Sequence, residues 1–197
     1  MPHLTHDTVP ALAQIVLALQ TLVSRHIDPL QPAVVSITNV HAGSGATNVI
    51  GDGARLSGTV RTFDSSTRQL IRERMETLVH GIAASFSLRP NLRYQTLIDP
   101  TVNHPASVEF CRSAATRVTG SPSSVKEMPP VMGGEDFGSF LEHRPGAFII
   151  LGQALPDPTS PCSQGLHSPH YDFNDAILPL ATEYFADLAE SRLPLHL

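Results

Sequence analysis

Residues Gly165 to Asp175 read GLHSPHYDFND, eleven positions holding two histidines, two aspartates, a tyrosine and an asparagine. His167 and His170 stand three apart, with Asp172 and Asp175 downstream. Neutral imidazole and carboxylate are ligands suited to zinc, manganese or nickel. A complete metal site needs three or four ligands, and loop spacing alone does not aim them. Leu166, Pro169 and Phe173 read as packing residues. The stretch therefore fits two descriptions: a metal-binding loop, with an independent single-metal site at His167, His170 and Asp172, or a polar turn in which Asn174 or Asp175 caps the last helix.

A second constellation is MGGEDF, Met132 to Phe137. Two glycines ahead of Glu135 and Asp136 permit tight backbone geometry entering a helix. The acidic pair either lines a cleft or complements the helix dipole in a first turn. A third is HAGSGATNVIGDG, His41 to Gly53, where glycines suit a connection between two strands and His41 and Asn48 face a ligand or close the loop. It lacks the Lys-Ser/Thr of a phosphate-binding loop and opens no helix, so phosphate cradling is not expected. His3, His6, His26, His80, His104, His143 and His196 read as surface or turn histidines. No Gly-x-Ser-x-Gly elbow occurs, and neither Cys111 nor Cys162 has the context of a nucleophile, which sets aside serine and cysteine hydrolases.

The elements that must position these residues follow from periodicity. A helix is expected from Asp7 to Ser24, capped by Thr5 or Asp7, with apolar positions almost all round it. Ala33 to Val40 alternates as a strand, and ARLSGTVRTF (Ala54 to Phe63) puts Ala54, Leu56, Gly58 and Val60 on one face. Asp64 caps a helix to Phe86 carried by Ile71, Met75, Leu78 and Ile82. NLRYQTLI (Asn91 to Ile98) reads as a third strand. The order α-β-β-α-β resembles a ferredoxin-like split unit without its first strand. After a proline-bounded linker come a helix from Ala106 to Thr119, a short helix near Glu135 to Glu142, an apolar strand AFIILGQ (Ala147 to Gln153) and a last helix from Ala176 to Ser191. The expected class is α/β (α+β), with domains at 1–98 and 99–197.

With 41% hydrophobic and 16% charged residues among 197, the chain can bury a core. A net charge of −5 without a basic run argues against nucleic-acid and anionic-membrane partners. Two distant cysteines suggest no disulfide framework and a reducing, cytoplasmic setting. The N-terminus does not read as a signal peptide. The run ALAQIVLALQTLV looks too short, and too interrupted by Gln14, Gln20 and Thr21, to span a bilayer.

Three stretches in order carry a resemblance: MPHLTHDTVPALAQIVLALQTLVSRHIDPLQPAVVSI, NVIGDGARLSGTVRTFD, and PPVMGGEDFGSFLE followed by GLHSPHYDFNDAILPLATEYF. Together they resemble the C-terminal half of the metal-dependent amidohydrolases that include hippurate hydrolase, N-acyl-L-amino-acid amidohydrolases and auxin-conjugate hydrolases, from Met1 to about Ala189. The resemblance implies hydrolysis of the amide bond of small N-acyl amino acids by a two-metal α/β catalytic domain. It also implies an inserted ferredoxin-like lid that mediates homodimerisation. Residues 1–98 would be most of the lid, without its first strand, and 99–197 the last part of the catalytic domain. His167 then matches the family's C-terminal metal ligand. Glu135 and Asp136 match a wall of the active site, Asn48 the lid asparagine near the substrate carboxylate, and His3 the end of the lid's entry motif. The family's other metal ligands, its glutamate base and a lid histidine belong upstream of this stretch. The expectation is therefore an amidohydrolase fragment, inactive alone, or a non-catalytic dimerisation module. Gly51 stands where the family usually has proline, and His170 where a basic or variable residue is typical. Exposed Phe148, Ile149, Ile150, Val35 and Ile37 would make the chain marginally stable.

Overall fold

A computed structural model describes residues 1–193; His196 lies outside the described residues. The chain is mixed α/β and divides into two compact units. Unit 1 comprises Met1–Pro100 with Val131–Gly134, so six residues of the second expected domain, 99, 100 and 131–134, fall in it. Unit 2 comprises Thr101–Pro130 and the chain from Glu135 onward.

Unit 1 contains α1 (Thr8–His26), β1 (Ala33–Ala42), β2 (Ala54–Thr62) and α2 (Ser65–Ser85). Asp7, not Thr5, caps α1: its Oδ1 accepts from the Val9 amide at 2.9 Å. Propagation through Arg25 and His26 makes α1 19 residues long with a mean hydropathy of 1.2. By length and composition it reaches the size of a membrane-crossing helix, where the apolar run alone looked too short. Here Leu12, Leu19 and Leu22 are buried, whereas Leu17 is 69% exposed, so burial is confined to one side.

The buried face of α1 meets α2 and an antiparallel hairpin of β1 and β2. Leu19, Leu22, Ile27, Ile71, Met75 and Val79 form the core, with Val35, Ile37, Leu56 and Val60 packed against it from the strands. Leu19, Leu22 and Ile71 are fully buried, each contributing about 2 kcal/mol by removal from water. Val35 and Ile37 are thus half-buried against the core, where the sequence suggested exposure. A register shift between Ile37 and Asn39 sets Val40 opposite Leu56 and Asn39 opposite Ser57. The extra residue keeps the apolar set on one face, since a slip of one position would turn Asn39 inward. Asn39 instead donates to Ser57 Oγ at 3.2 Å.

Residues 91–98 form no strand. Leu92 and Tyr94 still pack on the core with strand-like alternation, but no described segment offers a ladder to this backbone. Among the described residues the sheet has two strands, not three.

Asp64 caps α2 as expected, its Oδ1 accepting from the Thr67 amide at 2.7 Å and from Ser66 Oγ at 2.6 Å. The Ser66 hydroxyl, then the Thr67 amide, lower this carboxyl from 3.8 to about 2. A carboxyl lowered on folding stabilises the folded state above its unfolded value, and that contribution is lost as pH falls through the folded value. Unit 1 should therefore weaken between about pH 4 and pH 2. Asp64→Asn keeps an acceptor at the cap without the titration. Urea midpoints across that window should fall less steeply in Asp64→Asn than in wild type; parallel curves would contradict the assignment.

Unit 2 contains α3 (Pro105–Thr119), α4 (Phe137–Leu141) and α5 (Leu178–Arg192). α3 packs on α5 through buried Ala114 and Tyr184. Burial pushes the Tyr184 hydroxyl above its ordinary value. Arg117 grips Asp187 with two nitrogens, Nε to Oδ1 at 3.0 Å, and lowers that carboxyl. The Arg192 guanidinium lies 4.3 Å from the Phe110 ring centroid.

The expected strand at 147–153 is not a strand. Asn103 takes the place of a neighbour: its Oδ1 accepts from the Phe148 amide at 2.7 Å and its Nδ2 donates to the Phe148 carbonyl at 2.8 Å. The Phe148 ring is half-buried against Phe137, with centroids 5.7 Å apart. Ile149 and Ile150 are 44% and 62% exposed, as the sequence suggested.

Candidate functional site

The loop that bears His167 is two successive turns. The Ser168 amide donates to the Gly165 carbonyl at 3.1 Å, and the Tyr171 amide to the Ser168 carbonyl at 3.1 Å. Pro169 suits an early position of the second turn, because its fixed φ matches it. His167 occupies the third position of the first turn at φ +73°. That is the left-handed region, where a side chain with a Cβ is strained. An imidazole is held where glycine or asparagine would rest more easily, and it is exposed.

Beyond the turns, Asp172 Oδ1 accepts from the Phe173 amide at 2.9 Å. Asn174, not Asp175, is the cap: its Oδ1 accepts from the Ala176 amide at 3.2 Å, starting a 3-10 turn at Asp175–Ile177 that leads into α5. His170 is exposed at the tip of the second turn. The trio His167, His170 and Asp172 does not converge. Among the described residues no three His, Cys, Asp or Glu side chains gather as a metal site. Consecutive turns point neighbouring side chains in different directions, which spacing of three could not reveal.

Sequence reasoning missed the residue that organises this loop. Gln153 Oε1 accepts from Tyr171 Oη and from the Asn174 amide, both at 3.3 Å. Its Nε2 donates to the Cys162 carbonyl at 3.2 Å and to the Asp172 carbonyl at 3.1 Å. Asn174 Nδ2 donates to the Gln153 carbonyl at 3.0 Å. A lone glutamine in an apolar run carries no periodic signal.

Glu135 has a structural task. Its Oε1 accepts from the Phe137 amide at 3.2 Å, satisfying the start of α4, while Thr101 Oγ1 donates to the Glu135 carbonyl at 3.4 Å. Asp136 is exposed and its side chain makes no such cap bond. A Cβ on Gly134 would lie 2.7 Å from Arg61 Nη1 and 3.2 Å from Ile98 Cδ1.

His3 sits in a 3-10 turn at Pro2–Leu4 and is exposed. Asn48 is exposed in the loop between β1 and β2. Gly51 lets that loop fold back on itself: a Cβ there would lie 3.0 Å from the Gly43 carbonyl carbon. Thr8 Oγ1 donates to the Gly51 carbonyl at 3.4 Å, tying the loop to α1.

Comparison with known proteins places these features in a family. The sequence pattern of peptidase family M20/M25/M40 matches residues 9–191. N-acetylcysteine deacetylase of Bacillus subtilis (strain 168) is 34% identical over 189 residues, which cover 96% of this chain and 47% of the deacetylase. IAA-amino acid hydrolase ILR1-like 2 of Arabidopsis thaliana is 38% identical over 193 residues, 96% of this chain and 42% of the hydrolase. Among solved structures, the Bacillus subtilis YXEP protein, a dinuclear metal binding peptidase from the M20 family, is similar with a TM-score of 0.73 at 31% identity. The alignment covers 95% of this chain and 46% of that one. The chain thus spans about half the length of the relatives it matches.

Proposed function

The chain belongs to peptidase family M20/M25/M40, and from that premise we propose that it is the part of an N-acyl amino acid amidohydrolase that carries one metal ligand, His167. The observation that supports this reading is the family match running through the strained turn that exposes the imidazole. The described residues do not by themselves fit a two-metal centre, because no group of three possible ligands is present. The remaining ligands and the base are assigned to the portion of the relatives' length that this chain does not match. A divalent metal, zinc, manganese or nickel, would supply Lewis-acid chemistry there. Asn48 and His3 are assigned to the substrate side of the lid, and Asp136 to a wall of the cleft. Glu135, occupied at the α4 terminus, is assigned to holding that wall in place.

Unit 1 is read as the ferredoxin-like lid and as the part that pairs with a second copy of the chain. Leu17 and Val40, 69% and 56% exposed, are separate apolar positions of this unit open to a partner. Native mass spectrometry with zinc, manganese or nickel added tests both parts. The expected species is a dimer that retains no metal at micromolar free ion. A dimer holding two metals per chain would overturn the partial-site reading, and a monomer at all concentrations would overturn the pairing.

A further inference from the structure

We infer that Gln153 is a positioning residue for His167: its carboxamide clamps the base of the double turn that carries the imidazole. The assignment rests on the reading of His167 as a ligand; the clamp itself rests on geometry alone. The turn's internal bonds, Ser168 to Gly165 and Tyr171 to Ser168, set its shape. They do not set where it is anchored. Gln153 reaches both sides of it, the Cys162 carbonyl before the turn and Tyr171, Asp172 and Asn174 after it. The Asp172 amide closes the same base by donating to the Pro161 carbonyl at 3.2 Å.

The orientation of the carboxamide is unambiguous. Its nitrogen faces two carbonyls, which only accept, and its oxygen faces a backbone amide, which only donates. All four valences are used, so rotation of the group would turn favourable bonds into repulsions. Because a left-handed φ aims the His167 side chain, a base that shifts would carry the imidazole with it.

Gln153→Met matches the side chain in size and removes all four bonds, so a role in packing alone would leave the loop unchanged. Amide hydrogen exchange in the 197-residue chain reads the effect at the backbone amides of Ser168, Tyr171 and Asp172, which donate to the Gly165, Ser168 and Pro161 carbonyls and not to Gln153. We expect exchange there about tenfold faster, with α3 and α5 amides unchanged. If Gln153→Met opens all of unit 2, Tyr171→Phe, which removes one bond to Oε1, decides: about threefold faster exchange at Ser168 and Asp172 supports the clamp. Unchanged exchange at these amides in Gln153→Met, or in Tyr171→Phe where that variant decides, overturns it. Turnover by an enzyme completed with the rest of the relatives' length separates the two readings. Turnover that survives His167→Ala removes the positioning role by removing the ligand, even where the loop has loosened. Turnover that needs His167 while Gln153→Met leaves both loop and rate unchanged overturns the inference about Gln153 alone.

Discussion

Gly58→Ala is expected to destabilise unit 1 by about 3 kcal/mol or more. A Cβ at this position would lie 2.1 Å from the Ser36 carbonyl oxygen and 3.0 Å from Ile37 Cα. Both are backbone atoms, so no rotamer change relieves the contact. Gly58 pairs with Ile37 at the point where the register shifts, and β1 would have to move off β2 to make room. Val35, Ile37, Leu56 and Val60 ride on that pairing into the core. The effect therefore spreads from one methyl to the packing of both helices. Gly81→Ala is the matched control: it lies in α2, and a Cβ there meets nothing within 4 Å. It should stabilise by about 0.5 to 1 kcal/mol, through helix propensity and a less mobile unfolded chain. Urea denaturation followed by circular dichroism measures both. Equal midpoints for Gly58→Ala and wild type would show that the hairpin is not packed as described.

His167→Ala is expected to lower kcat/KM about 1000-fold or more in an enzyme completed with the rest of the relatives' length, because a lost ligand removes several kcal/mol of charge stabilisation. His170→Ala, at an exposed turn tip, should stay within about threefold. His167→Gly makes the sharper comparison. It removes the same imidazole but relieves a left-handed backbone that costs a residue with a Cβ roughly 1 kcal/mol. The loop should become more stable while activity falls as far as in the alanine variant. Stability and activity moving in opposite directions is the signature of strain kept for function. A His167→Gly enzyme with wild-type turnover would show that the imidazole has no part in the reaction.

The helices were legible because apolar spacing and caps are local: Ile71 and Met75 recur at helical intervals, and Asp7 and Asp64 accept from the amides just after them. The hairpin was legible from alternation, but its bulge was not, since only pairing with Ser57 and Leu56 shows that Thr38 is the extra residue. Residues 91–98 and 147–153 were misread for the same reason. A strand is completed by a partner; Leu92 and Tyr94 alternate without one, and Asn103 satisfies the Phe148 backbone from a side chain. His167 is singled out as a ligand only by resemblance to a family. Its left-handed φ, the failure of His170 and Asp172 to join it, and the Gln153 clamp all arise from tertiary geometry that spacing does not encode.

Hydrolysis of hippurate and of acetylated amino acids, with zinc, manganese or nickel added, is the most direct test of a site completed from outside this stretch. The purified chain alone should give no turnover above buffer. Adding a polypeptide that supplies the unmatched portion of the relatives' length should restore turnover, and His167→Ala should abolish it. Metal-dependent turnover by the chain alone would contradict the partial site. Restored turnover indifferent to His167→Ala would contradict the ligand.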